Sequence, residues 1–384
     1  MFLYMTNRWV LFYKKERGKL KMKNLEILKD LVSIKSFDTN SNEEIINYLI
    51  KKFEPYAEEI KIINNYKLNK KKNLLIGLNT KITNINDAIV LSGHIDTVVA
   101  DESLYKTNPY IPTLIDDKLY GLGTIDMKSY FAIILNNIEE LKKIKKPIII
   151  AITSDEETNF EGIENISSYL KEKNVIPYFT IVGEPTNMKI CTSSKSCYEY
   201  QIDITGLGCH SSKPQNGINA NYIAAKFISF IEKLSFKYPN TTLNCGIMQG
   251  GDKVNIVSPN SKIVFDLRTD NKSLIDKVLK DIRNKIAYLK KKYSGCSIEL
   301  SNNLSILPLE RRNSLIIEKL LRKFNLEENE FTGGCEAGYF QALGGDSILF
   351  GVGDLSLAHK PNEFVNINEF EKYNDMFISF IKSL

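Results

Sequence analysis

Up to about residue 190, short runs that are apolar almost throughout alternate with segments of helical periodicity. The runs are Asn73–Leu78, Ala88–Ser92, Ile148–Ser154 and Phe179–Gly183. Between them lie the helical patterns Glu43–Phe53, Tyr130–Leu141 and Gly162–Lys171. A strand that is apolar on both faces must be covered on both faces. The alternation therefore predicts an α/β fold, a mostly parallel sheet flanked by helices. In such sheets ligands gather beyond the carboxyl ends of the strands, so the residues just after each run are the ones to inspect for chemistry.

The pattern then changes. In Tyr198–Thr205, Tyr200, Ile202 and Ile204 alternate with Gln201, Asp203 and Thr205, as in a half-buried strand. A helix at Ile218–Leu234, strands at Leu243–Gln249 and Lys262–Arg268, a helix at Lys272–Lys292 and a strand at Cys296–Leu300 follow. The order β-α-β-β-α-β is the ferredoxin-like pattern, an α+β sheet with one free face. After Leu307 and Pro308 the first style resumes, with a helix at Asn313–Phe324, a strand at Ser347–Gly351 and a helix at Asn368–Leu384. The chain has 384 residues, a length at which one core usually gives way to two. The expected division is a discontinuous catalytic domain of residues 22–193 and 305–384, with a ferredoxin-like domain inserted at 194–304.

Residues 1–21 are apolar pieces split by Thr6, Asn7 and Arg8 and fit no signal peptide. Leu25, Leu28, Leu31 and Val32 share one face of a helix starting near Met22. The expectation is that Met22 is the natural start and that 1–21 is an extension outside the fold. No apolar run reaches the roughly 18 residues of a membrane span. The net charge of +5 comes from lysines spread along the chain. Dispersed lysines are read as solvated helix faces, not as a nucleic-acid surface. The six cysteines form no C-x-x-C pair, which fits reduced thiols in a cytoplasmic protein.

The chain has only three histidines, His94, His210 and His359, each in a short polar segment. His94 and Asp96 follow the second apolar run. Two residues apart in an extended chain they share a face, so Asp96 can hydrogen-bond the His94 ring and fix its tautomer. Asp126 ends G-L-G-T-I-D before a helix, Asp155, Glu156 and Glu157 follow the third run, and Glu184 follows the fourth. Acids at strand ends are also common as helix caps. So many at one sheet edge repel one another unless cations neutralise them. Two divalent ions fit: Asp126, Glu157, Glu184 and one hydroxide balance four positive charges. Oxygen and imidazole donors without thiolate suit zinc, cobalt or manganese.

The ordered segments H-I-D, G-T-I-D-M-K, D-E-E, G-E-P-T, G-C-H-S-S-K-P and A-H-K-P-N-E-F resemble the M20 family of di-zinc amidohydrolases and peptidases, from about residue 22 to the end of the chain. The resemblance implies two divalent ions, zinc being expected and cobalt able to substitute. It puts His94 and Glu184 on one ion, Glu157 and His359 on the other, and Asp126 on both. It makes Glu156 the general base and Asp96 the partner of His94. It also implies that the inserted domain is a lid through which members often dimerise. His210 then reaches in from the other subunit of a homodimer to stabilise an oxyanion.

For substrate binding, Arg268 ends a strand and suits a carboxylate, with Asn255 as its partner and backbone N–H groups of Gly333 and Gly334 nearby. The segment T-G-G-C-E-A resembles that of family members acting on N2-acetyl-L-ornithine more than the T-S-D of desuccinylases. Glu336 would then meet the cationic side chain. The expected reaction is amide hydrolysis of a small N-acyl amino acid, here to acetate and ornithine in arginine biosynthesis. The alternatives are a succinyl-diaminopimelate desuccinylase, an N-acyl-lysine deacylase or a dipeptidase. In S-S-K-S, Ser196 stands where the family often has glycine.

Overall fold

The computed structural model describes residues 24–37, 41–66 and 71–384, so the expectations for residues 1–21 and Met22 fall outside the described part. Two compact units result. The first takes the described residues up to Thr192, Arg312–Glu330 and Tyr339–Leu384, and the second takes Ser193–Arg311 and Phe331–Gly338.

The first unit opens with helices α1 (24–33) and α2 (Glu43–Phe53). Strands β1 (Glu59–Asn64), β2 (Lys72–Leu78) and β3 (Ile85–His94) follow, then the short β4 (Thr113–Ile115) and β5 (Lys118–Tyr120). Next come α3 (Lys128–Asn136), α4 (Ile138–Leu141), β6 (Ile148–Thr153), α5 (Glu161–Glu172), β7 (Val175–Val182) and β8 (Ile190–Ser194). The second unit supplies β9 (Cys197–Thr205), α6 (Ala220–Ser235), β10 (Thr241–Gly250), β11 (Asn260–Thr269), α7 (Lys272–Lys292) and β12 (Ser297–Ile306). The chain closes with α8 (Leu315–Phe324), β13 (Glu328–Phe331), α9 (Ala337–Leu343), β14 (Asp346–Leu349), β15 (Phe364–Asn366) and α10 (Ile367–Ile381).

The main sheet has the order β1-β2-β6-β3-β7-β14-β8-β13. Its centre is parallel: β3 pairs in parallel with β6 and β7, and β14 with β7. Of these, β3, β6 and β7 are strands expected from unbroken apolar runs, and β6 is buried at every position; β2, expected from a like run, instead pairs antiparallel with β6. The margins are antiparallel, with β1 on β2, β2 on β6, and β14 on β8. The outer strand β1 is half exposed and carries charge, which is why its sequence gives no continuous apolar signal. Helix α3 is buried along most of its length and packs with α10 through Tyr130, Tyr373 and Phe377.

The second unit has one antiparallel sheet, β10-β11-β9-β12, and the helices α6 and α7. Tyr198, Tyr200, Ile202 and Ile204 of β9 are buried in a core with Ile223, Phe227, Ile231, Val278 and Ile282 of the helices. Asn219 and Asn271 cap the two helices by accepting backbone N–H bonds. The strand pairing is ferredoxin-like. Residues 331–338, which carry Gly333, Gly334 and Glu336, fall with this unit and not with the first. No helix among the described residues is long and apolar enough to cross a membrane.

Candidate metal centre

Sheet order explains why distant acids meet. Strands β6, β3 and β7 are neighbours, and His94 at the end of β3 lies opposite Thr153 at the end of β6. Ser92 of β3 lies opposite Val182, which ends β7. The residues just beyond these ends, Asp155 to Glu157 and Glu184, therefore emerge beside His94. Gly183 permits this at β7. A Cβ there would come within 2.0 Å of the Tyr130 ring, so only glycine lets the strand pass that ring.

Asp126 links His94 and His359. Its Oδ1 lies 2.9 Å from His94 Nε2 and its Oδ2 lies 3.3 Å from His359 Nε2. His359 also lies 2.9 Å from Glu157. Among the described residues, three sets of donor atoms lie within 4.8 Å of one another: His94, Asp126 and Glu184; His94, Glu156 and Glu157; and Asp126, Glu157 and His359. All belong to the first unit. His359 adopts the left-handed region at φ +59, a conformation that costs a non-glycine residue energy and must be held by its surroundings.

Charge in this cluster is strongly polarised. Burial lifts the Glu156 carboxyl well above its ordinary range; His94 opposes the shift, and the charges of Glu184, Glu157 and Asp126 add to it. Burial also raises Glu157. Burial opposes charge on Asp126, yet the imidazoles bonded to its two oxygens hold its carboxyl well below the usual range. Hydrogen bonds to Asp126 and Glu157 raise the His359 imidazole to about 10. Burial works against a charged His94, but Glu156, Asp126 and Glu184 more than offset it. The common cause is a set of buried carboxylates that attracts positive charge. Hard oxygen donors and imidazoles within reach of each other, sharing one carboxylate, fit a pair of divalent cations.

Asp96 departs from the expected arrangement. His94 Nδ1 bonds the backbone carbonyl of Asp96 at 3.0 Å, while the carboxylate Oδ1 stands 3.7 Å away. The other oxygen, Oδ2, accepts the Glu157 backbone N–H at 3.1 Å. The carbonyl can fix the ring tautomer as well as a carboxylate can, and the Asp96 side chain instead ties down the acidic turn.

Glu363, the acid of A-H-K-P-N-E-F, has no role assigned from the sequence. It is buried, and its carboxylate accepts N–H bonds from Gly123 at 3.0 Å, Ile125 at 2.8 Å and Asp126 at 3.3 Å. Burial lifts its carboxyl to about 7 against these bonds. Glu363 thus holds the turn that presents Asp126, four residues after His359. Glu363→Ala leaves three backbone donors without their acceptor, at about 1–3 kcal/mol for each that stays buried. A fall in the thermal midpoint of the metal-free protein is expected, with a smaller fall for Glu363→Gln, which keeps one acceptor oxygen. An unchanged midpoint for both variants would mean that the turn is held elsewhere.

The other expected residues lie in the second unit. His210 is exposed, and its Nδ1 receives the Ser212 backbone N–H at 3.2 Å, with Ser212 Oγ at 2.7 Å. A neutral ring that accepts at Nδ1 carries its proton on Nε2, where it is a donor. The Asn255 backbone carbonyl accepts the Ser211 N–H at 3.0 Å, so it does neighbour His210. Arg268 is the penultimate residue of β11, and its Nε already bonds Asp266 at 2.9 Å. Glu336 is almost fully buried.

Comparison with known proteins places these observations. The profile of Peptidase family M20/M25/M40 matches residues 90–383. An acetylornithine deacetylase of Buchnera aphidicola subsp. Acyrthosiphon pisum (strain Tuc7) is 30% identical over 367 residues, covering 89% of this chain and 92% of that protein. Among solved structures, a tripeptidase from Staphylococcus aureus superposes with a TM-score of 0.74 at 24% identity, over 94% of this chain and 98% of that one. A dinuclear metal-binding peptidase of the M20 family from Bacillus subtilis superposes with a TM-score of 0.65 at 14% identity, over 95% and 99%.

Proposed function

This chain belongs to peptidase family M20/M25/M40 and is a metallo-hydrolase of that family, and we propose that it uses two metal ions to hydrolyse N2-acetyl-L-ornithine to acetate and L-ornithine. The observation that carries the two-metal reading is Asp126, with one carboxylate oxygen against each of two histidines that have further acids beside them. The dinuclear site of the Bacillus subtilis relative agrees with it. In this reading His94 and Glu184 hold one ion, Glu157 and His359 the other, and Asp126 both. Zinc is the expected ion, with cobalt as a substitute. Bound there, the ions would lower the pKa of water and polarise the scissile carbonyl.

The chain's own groups do the rest. Glu156 takes a proton from the attacking water as its oxygen bonds the carbonyl carbon. It then delivers that proton to the amine nitrogen as the C–N bond breaks, which releases acetic acid and the free amine; the acid's proton then passes to the amine, giving acetate and the ammonium form of ornithine. A carboxyl that burial and neighbouring acids bias towards protonation suits the delivery step. His210, with its proton on Nε2, is the proposed donor to the developing oxyanion. As a member of the second unit, read here as a lid and dimerisation domain, it would act from the partner subunit. His210→Ala is expected to lower kcat about 10²–10³-fold with little change in KM. Mixing it with a Glu156→Gln protein should recover activity once subunits exchange. Failure to recover would place the histidine's action within one chain. Arg268, Asn255, Gly333 and Gly334 are proposed for the substrate carboxylate, with Glu336 near the substrate's cation and Asp96 supporting His94.

The choice of acyl amino acid rests on the 30% identical relative and on Glu336-Ala337. The test is amine release by zinc-loaded protein from N2-acetyl-L-ornithine, succinyl-diaminopimelate, an N-acyl-lysine, a dipeptide and a tripeptide. Preference for acetylornithine supports the proposal and a place in arginine biosynthesis. Preference for another compound keeps the metal centre and removes that substrate.

A further inference from the structure

Asp155, which immediately precedes the base and a metal ligand, takes part in none of the contacts above. It is fully buried and left-handed at φ +65. Its carbonyl accepts the N–H groups of Asn159 at 3.0 Å and Phe160 at 2.7 Å, closing the turn that carries Glu156 and Glu157. Its carboxylate belongs to a second polar cluster. One oxygen meets Lys71 Nζ, and the other meets Asn65 Nδ2. Lys71 and Asn65 are themselves buried.

The cluster is locked from both sides. Asn65 Oδ1 accepts from Asn73 Nδ2 at 2.7 Å and from Asn165 Nδ2 at 3.2 Å. Asn73 Oδ1 accepts the Ser154 N–H at 2.8 Å and the Ser154 hydroxyl at 3.0 Å. So Asn73 of β2, with Asn65 just after β1 and Lys71 just before β2, holds the residues that follow β6. Helix α5 closes over the cluster: a Cβ on Gly162 would come within 2.2 Å of the Ser154 carbonyl. A buried ion pair adds little net stability over an apolar filling of the same shape. The consequence of this pair therefore lies in what it holds in place.

We propose that Lys71 is a positioning residue: through its buried ion pair with Asp155 it fixes the left-handed turn that sets Glu156 and Glu157 at the metal centre. The inference rests on the reading of Glu156 as base and Glu157 as ligand. Supporting groups behind metal ligands typically change affinity or rate about 10–100-fold when removed. Lys71→Met keeps the length of the side chain and removes its charge. It is expected to lower kcat per zinc-loaded site about 10–100-fold at unchanged KM. In calorimetric titration of the metal-free protein with zinc, one binding event should weaken by a similar factor. Lys71→Arg, which keeps the charge, should recover a substantial part of both.

Two results overturn the proposal. One is zinc affinity and kcat per loaded site within twofold of the parent. The other is a lower thermal midpoint with unchanged kcat per loaded site, which marks a role in stability alone. Should Lys71→Met fail to fold, Asp155→Asn takes its place, with the same expected losses and the same overturning results. A parent protein that binds no zinc would remove the reading of the site and this inference together. A loaded, active parent matched by both variants removes only this inference.

Discussion

Glu156→Gln is expected to bind two metal ions as the parent does and to lose about 10²–10⁴-fold in kcat, the range spanned by a positioned acid–base group. Glutamine keeps the shape of the side chain but cannot take a proton from water at neutral pH. The residue lies among the ligands without belonging to the Asp126 sets, being grouped only with His94 and Glu157. Its carboxyl is held up by burial and by Glu184, Glu157 and Asp126. Removing its charge relieves repulsion in the cluster, so metal affinity should hold or rise. Metal analysis of the purified variant beside its kcat checks both halves. Loss of an ion would make Glu156 a ligand and send the base assignment to another acid.

Removing the metals is expected to abolish turnover and to lower the thermal midpoint. A ligand at a free concentration 1,000 times its dissociation constant stabilises the folded state by about 4 kcal/mol per site. For a unit of this size each kcal/mol moves the midpoint by about 2–4 °C, which gives a fall of roughly 8–16 °C per ion. The physical reason is local. Asp126, Glu156, Glu157 and Glu184 are crowded and largely withdrawn from water, and only protons or cations relieve them. Dialysis against a chelator followed by calorimetry measures the shift, and added zinc or cobalt should restore midpoint and activity together. Recovery of the midpoint without activity would mean that the ions serve structure alone.

The sequence displayed what periodicity and local order can carry. Unbroken apolar runs marked β2, β3, β6 and β7, and the alternation in β9 marked the face that meets α6 and α7. The acids after those runs and the three histidines were visible because they end elements whose sheet order brings them together. Other features depend on partners remote in sequence. Glu363 acts on backbone N–H groups more than two hundred residues earlier, and backbone donors have no sequence signature. Asp155 was visible as a strand-end acid, but its partner Lys71, just before β2, is one lysine among many in the sequence. His94 chose the carbonyl of Asp96 over its carboxylate, a choice between two acceptors on one residue that spacing cannot make. Arg268 found Asp266 on its own strand for the same reason of proximity. The short strands β4, β5, β13 and β15 are too brief to show a period.

Two cations sharing Asp126 are the centre of the proposed site. Anomalous scattering from crystals grown with zinc tests this directly. The predicted result is two peaks, one among His94, Asp126 and Glu184 and one among Asp126, Glu157 and His359, with Glu156 bound to neither. A single peak at saturating zinc, in crystals whose dissolved protein is active, would contradict it.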